Sequence, residues 1–456
     1  MQFPPPHGTP LPKSRAVRPL AWMAVAALAC LFVIRSARAT RDPAGPYKKL
    51  DVFTHVLSLI ENNYVEPVDE ARLLYGAIEG MVRTLDPHST FMDPRAYAAL
   101  KQETDGEYGG IGLEVALKNG EIVVVAPLDD TPAARAGLKP GDKLLEIDGR
   151  STRSMKDADA NRALMGPPGT QVALKILREG WPAPRGFTLL RDVIRIVSVE
   201  ERLFEKRFGY VKIKNFQDRT DSYLKKSLDT LRGQAGGQVG GLVLDLRHNP
   251  GGLLSSAVEV ANFFVADGRI VSTKGRNQKE RVFDAKAGDL VLPAADCPMV
   301  VLVNRYSASA SEIVSAAIQD HQRAVIIGER SYGKGSVQNI LKIEGDASAL
   351  KLTTASYWRP SGENIHRFPD SKDTDKWGVR PSEGFEIKLS DEERLDYVVY
   401  RRDRDIIQGK PGAVPPPRPK TKDDKKDDKA EKDKKPFVDK MLEKALEHLR
   451  EQVAKK

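Results

Sequence analysis

The sequence predicts a mixed α/β, multidomain fold: a helical N-terminal region, a β-rich module, an α/β core and a C-terminal helix. Three observations predict it. Apolar residues recur at helical spacing through residues 47–104. Short apolar runs punctuated by Gly and Pro fill residues 106–192. Buried-strand runs then alternate with helical stretches over residues 193–390. A chain of 456 residues, 40% hydrophobic, has room for two or three such domains, at roughly 100–200 residues each.

The first 39 residues read as an export signal. Lys13, Arg15 and Arg18 precede an apolar run from Leu20 to Ile34, and Ala37-Arg38-Ala39 supplies a small-residue cleavage pattern. The run is short for a full span, which needs roughly 20 residues. Cleavage, or retention as an inner-membrane anchor, are the two outcomes this layout allows. Cys30 lies inside the apolar run and Cys297 stands alone in the body, so a stabilising disulfide is not expected.

In the helical region, Val52, Val56, Leu59 and Ile60 share a helical spacing, as do Leu73, Leu74, Ala77, Ile78, Met81 and Val82. Thr84-Leu85-Asp86-Pro87-His88-Ser89 breaks the pattern as a turn, with His88 a turn residue. The β-rich module holds expected strands at 122–125, 143–147 and 172–177, and a short helix in 131–138 ended by Gly137. The core holds expected strands at 208–213, 241–246, 299–303 and 324–327, with helices at 254–264 and 309–319.

Residues 409–435 are Pro-, Lys- and Asp-rich with almost no apolar side chains and read as an extended linker. Residues 436–456 then carry an amphipathic pattern: Val438, Met441, Leu442, Ala445, Leu446 and Leu449. Such a helix either docks on its own body or binds a partner. The net charge of +9 is concentrated partly in the Lys/Asp tract. With no Cys/His metal spacing and no aromatic series along a basic stripe, neither a metal site nor nucleic-acid binding is expected.

Three segments carry chemistry. In residues 301–320 a buried strand ends at Asn304 and a helix starts at Ser309. A serine there exposes its hydroxyl beside the positive end of a helix. Ser309-Ala310-Ser311-Glu312 also reads as a capping box, in which the serine only holds the first turn. In residues 328–338, Lys334 sits between Gly333 and Gly335. A lysine that acts as a base must be neutral, and close backbone packing at glycines excludes water and lowers its pKa. If residues 334–338 are extended, Lys334, Ser336 and Gln338 share a face, and Gln338 can orient the amine. In residues 245–252, Pro250, Gly251 and Gly252 follow a strand, where backbone amides can converge on an anion or simply make a tight turn.

Together, DLRHNPGG, NRYSASASE and GERSYGKGSVQ resemble the three signatures of the carboxy-terminal processing proteases, in order and in the 25-residue spacing from Ser309 to Lys334. The resemblance covers roughly residues 47–390. It implies a protease core with crotonase-like ββα elements, Ser309 as nucleophile, Lys334 as general base and Gln338 as the residue that positions the lysine. It further implies Glu312 in support, and an oxyanion hole from Ala310 with Gly251 or Gly252. His248 and His321 are then bystanders, and no cofactor is needed. Residues 106–192 resemble a PDZ domain, with Gly109, Gly110, Ile111, Gly112 and Leu113 matching its carboxylate-binding loop.

The implied function is an exported endopeptidase that recognises the exposed C-terminal tails of protein substrates in the periplasm. An adaptor lipoprotein and a homodimer or higher oligomer are further implied partners. Two other readings carry different expectations. A catalytically silent PDZ scaffold would lack turnover. A Ser331-x-x-Lys334 pair of the penicillin-binding kind would need a helix, which Gly328, Gly333 and Gly335 disfavour.

Overall fold

The structure, a computed structural model, describes residues 44–407, apart from 119, 287, 293 and 294, and residues 437–455. The export signal and the charged linker expected from the sequence lie outside the described residues. Among those described, no helix is long and apolar enough to cross a membrane.

The chain divides into two units, residues 1–81 and 82–456. The first holds helix Ala44–Asn63 and most of helix Glu70–Arg83. Leu50, Val52, Phe53, Val56 and Leu59 on the first of these helices are exposed.

In the second unit, residues 113–190 form a six-stranded antiparallel sheet around Ile122, Val124, Leu144, Ile147, Val172 and Ile176. The expected strands occur as Glu121–Pro127, Lys143–Ile147 and Gln171–Leu177. Helix Asp157–Leu164 closes one side through Ala160 and Leu164.

The core is built on a five-stranded sheet in the order Val199–Phe204, Phe208–Ile213, Gly241–Asp245, Met299–Val303, Val325–Gly328. The first pair is antiparallel and the remaining pairs are parallel. The central strands are buried along their length, as their continuous apolar runs require. Helices Thr220–Gln234, Leu254–Asn262 and Ala310–Asp320 contribute Leu224, Leu228, Val260, Ala261, Ile313 and Val314 to one buried cluster with this sheet. A second sheet pairs Ser336–Ile343 with Ser348–Trp358, and Ser348–Trp358 with Thr90–Met92 and Arg269–Gly275.

Helix Lys440–Ala454 settles the two readings of the C-terminal pattern. Its apolar face packs in-chain: Met441, Ala445, Leu446 and Leu449 are buried against Phe208, Tyr210, Val243, Val300, Leu302 and Ile327. Each fully buried Leu or Met contributes about 1.5–3 kcal/mol. A partner-binding role for this face is therefore not available while the helix is docked. Helix Asp391–Ile407 was not anticipated from the sequence.

Candidate active site

Sheet topology explains why three distant segments meet. Strands Gly241–Asp245, Met299–Val303 and Val325–Gly328 are neighbours and parallel, so the segments that follow them leave the same edge. Those segments are the three that carry the candidate chemistry. Open parallel sheets place ligand sites at this carboxyl edge.

Ser309 caps helix Ala310–Asp320 with φ 55° and ψ −112°, a left-handed backbone that a non-glycine residue rarely adopts. The turn after Gly241–Asp245 is laid directly on it. Ala308 N–H donates to the Asn249 carbonyl at 3.0 Å, and Ser311 Oγ donates to the same oxygen at 3.0 Å. His248 N–H donates to Asn304 Oδ1 at 3.0 Å. A methyl group on Gly251 would lie 2.8 Å from Ser309 Cβ and 3.1 Å from the Ala310 nitrogen, and one on Gly252 would lie 1.9 Å from the Phe216 carbonyl oxygen. Both positions, with φ 107° and 141°, therefore demand glycine.

The turn also separates the two glycines chemically. The Gly251 N–H donates inward to Asn249 Oδ1 at 2.9 Å, so it is spent. Among the described residues, the N–H groups of Gly252 and Ala310 donate to no protein acceptor. The pair left for an anion is thus Gly252 with Ala310.

Glu312 joins the nucleophile segment to the lysine segment. Its fully buried carboxylate accepts Ser309 N–H at 2.7 Å and Lys334 N–H at 2.8 Å on one oxygen. The other oxygen accepts Ser331 Oγ and Gly333 N–H, both at 2.6 Å. The capping-box reading is thus partly realised, since Glu312 does reach back to the Ser309 amide, but the same carboxylate is shared with Lys334. Burial pushes the Glu312 carboxyl up, and the four donors oppose that shift.

Tyr357 makes a second bridge that the sequence reading missed. Its N–H donates to the Gly335 carbonyl at 2.6 Å, and its buried hydroxyl meets the Ser309 side chain. Burial pushes its phenol up to about 12. No motif singled it out in the sequence, where it lies 48 residues beyond Ser309.

Lys334 is partly buried, and its amine makes no hydrogen bond or ion pair with any described residue. Burial, followed by the charge of Lys351, lowers its pKa, against the pull of Glu312 and Asp86. A cavity of about 1570 Å³ opens beside it, lined in part by Asp86, His88, Tyr332, Gly333, Ser336 and Trp377.

Gln338 departs from the expectation that it orients the amine. Its Nε2 donates to Ser336 Oγ at 2.9 Å and Thr353 Oγ1 at 3.1 Å, and it does not bond Lys334. Ser336 and Gln338 do share a face, because the register shift opposite them leaves its extra residue, Thr354, on the partner strand; Lys334, which precedes the strand, falls outside that alternation. Thr353 is in turn held by the Asp86–Ser89 turn, through Thr353 Oγ1 to Asp86 Oδ1 at 3.2 Å and Thr353 N–H to Ser89 Oγ at 3.0 Å. Ser331 and Lys334 lie in an irregular segment, so the helical Ser-x-x-Lys reading fails; Ser331 Oγ also accepts Val379 N–H at 2.7 Å.

In the β-rich module, Gly109 and Gly110 belong to strand Glu107–Gly110, paired with Asp192–Arg195, rather than to a free loop. Leu113 opens the next strand. Among the described residues, the N–H groups of Ile111 and Gly112, which lie between the two strands, donate to no protein acceptor. Gly112, at φ 68°, packs against Thr131, where a methyl would lie 2.4 Å away.

Comparisons with known proteins identify the family. Peptidase family S41 matches residues 207–373, a PDZ domain matches residues 123–178, and the N-terminal domain of the activating protease CtpB matches residues 33–96. The chain is 39% identical over 391 residues to the carboxy-terminal-processing protease of Bartonella bacilliformis, covering 85% of this chain and 89% of that protein. It is 35% identical over 339 residues to the carboxyl-terminal-processing protease of Synechocystis sp., covering 73% and 75%. A solved photosystem II D1 C-terminal processing protease aligns with 74% of this chain and 86% of its own at 31% identity, with a TM-score of 0.41. The chain is a serine-type peptidase that belongs to the carboxy-terminal processing proteases of family S41.

Proposed function

We propose that this chain cleaves exported proteins presented by their C-terminal tails, using Ser309 as nucleophile and Lys334 as general base. One observation carries the reading: a single buried carboxylate, Glu312, holds the main-chain N–H of both residues. The lowered Lys334 pKa supports a neutral amine. Hydrogen bonds of this kind often form only once substrate is bound. Substrate entry is then the step that turns the lysine amine onto the Ser309 hydroxyl and displaces Tyr357.

Lys334 removes the Ser309 proton as the serine oxygen attacks the scissile carbonyl carbon. The Gly252 and Ala310 amides hold the resulting oxyanion. The Lys334 ammonium returns its proton to the departing amine, the C–N bond breaks and an acyl-enzyme remains. Water, deprotonated by Lys334, then releases the acid and restores the serine. The free Ile111 and Gly112 amides suit a peptide carboxylate, with the tail added as a strand beside Leu113–Lys118. Gln338 acts on the lysine through Ser336 rather than directly. The basic–apolar–small N-terminal pattern supports export to the periplasm, by cleavage or with an anchor. An adaptor lipoprotein would present substrates there. The exposed apolar residues of helix Ala44–Asn63 support self-association.

The test is cleavage of an unfolded tail-bearing protein. Ser309→Ala and Lys334→Ala should each abolish it with the fold retained; unchanged cleavage by both would defeat the assignment.

A further inference from the structure

Besides Glu312, a second group of buried charges lies behind the glycine turn. Arg247, 2% exposed, is the third residue of the DLRHNPGG segment. It is gripped from two sides. Asp245 takes Arg247 Nε at 3.0 Å and Nη2 at 2.6 Å. From the opposite side, Asp439 takes Nη1 at 2.7 Å and Nη2 at 2.9 Å. Asp439 is the N-cap of helix Lys440–Ala454, and its Oδ1 also accepts Leu442 N–H at 3.1 Å. Lys212, fully buried, donates to the Arg247 carbonyl at 3.0 Å.

A row of rings follows the same path. Phe437 lies 6.1 Å from Tyr397, Tyr397 stacks on His248 at 5.4 Å, and His248 stacks on Tyr306 at 4.9 Å. The Arg247 guanidinium also sits 4.7 Å over the Tyr397 ring. His248 is the left-handed residue (φ 59°) that opens the glycine turn, and Tyr306 stands three residues before Ser309. Two contacts, one ionic and one aromatic, therefore run from residues 437–439 into both halves of the site.

We propose that Asp439 is a positioning residue for catalysis: by clamping Arg247 it fixes the 247–252 turn, so the Gly252 amide faces the oxyanion only while the C-terminal helix is docked. Asp439 lies beyond residues 207–373 matched by the peptidase family. A fully buried arginine without its second carboxylate must find another partner, and the segment that can move to supply one is the turn itself. Misplacing an oxyanion donor by a fraction of its bond length removes much of its contribution, which is roughly 10²–10³ in turnover.

This inference rests on the peptidase reading, and the experiment separates the two. Asp439→Asn in the full chain keeps an N-cap acceptor for Leu442 but removes the charge that meets Arg247. The expected result is a fall of about 10-fold in kcat with KM for a tail peptide unchanged, and exchange of the hydrogen-bonded Arg247, His248, Asn249 and Gly251 amides accelerated about 10-fold while those of Gly241–Asp245 are unaffected. Unaltered exchange in the turn overturns the clamp, and faster exchange with unaltered kcat overturns its catalytic role. In the unmutated chain, the turn and helix Lys440–Ala454 should open as one exchange unit; separate openings also overturn the proposal, whether or not the variant folds. Retained cleavage by Ser309→Ala would instead strike the nucleophile assignment and leave the exchange result standing.

Discussion

Glu312 Oε2 accepts the Lys334 main-chain N–H at 2.8 Å while the Lys334 amine itself stays unbonded among the described residues. The backbone of the base is thus fixed and its side chain is left to move. Replacing the carboxylate tests how much that anchor matters. Glu312→Gln places an amide among four donors and leaves at least one without an acceptor, at a cost of about 2 kcal/mol or more. The urea midpoint should fall accordingly and turnover should drop by at least about 10-fold. Wild-type values for both would refute the anchoring role.

Lys351 is the second cause, after burial, of the lowered Lys334 pKa. Cleavage requires the neutral amine, so kcat/KM rises with pH as Lys334 loses its proton, with the acid limb below the ordinary lysine value. Lys351→Met removes a repelling positive charge, favours the ammonium and moves that limb to higher pH. At neutral pH the variant should be slower than wild type. A limb that stays in place would separate Lys351 from the base.

Thr353 gathers Asp86, Ser89 and Gln338 onto one strand position. Thr353→Val preserves shape and removes the shared hydroxyl. Loss of about 1 kcal/mol in stability is expected, with lowered cleavage because Gln338 and Ser336 lose their fixed orientation. Thermal melts and initial rates on one tail-bearing substrate measure both.

Burial lowers the His248 pKa from 6.5 to about 4, with Arg401 and Lys212 adding to the shift. The sign follows from proton binding. In the unfolded chain His248 takes its proton near 6.5, whereas the folded ring resists until about 4. Folded stability is therefore full above pH 6.5, falls as the pH drops through this window and levels off below it. His248→Asn suits the left-handed backbone and does not titrate. Its unfolding midpoint should depend less on pH across this range, and an unchanged slope would exclude His248 as the cause.

Much of the site was legible because it is local. Strand Met299–Val303 matched its expected range, and the segments after three buried strands each carried a distinctive short pattern. Parallel pairing then placed those segments at one edge. What could not be read comes from contacts between distant segments. Tyr357 reaches Ser309 from another sheet, and Asp439 reaches Arg247 across 192 residues, and no periodicity encodes either. Gln338 departs from its expected role for a different reason: alternation was assumed through Lys334–Gln338, and the strand begins only at Ser336, so Lys334 is not part of it. Ser382 likewise reaches a distant strand, its Oγ accepting Ile326 N–H at 3.0 Å and so anchoring the edge strand Val325–Gly328.

The outer face of the central sheet is covered by helix Lys440–Ala454, whose contacts with Phe208, Val300 and Ile327 span roughly a hundred to over two hundred residues of chain. During vectorial synthesis Phe208 and Tyr210 remain uncovered until Leu449 has emerged. Until then the nascent protein carries an open hydrophobic slab, a site for chaperone capture. The helix that covers this face also carries, at its N-cap, the carboxylate proposed to clamp Arg247, so on that proposal proteolytic competence waits until the helix has seated.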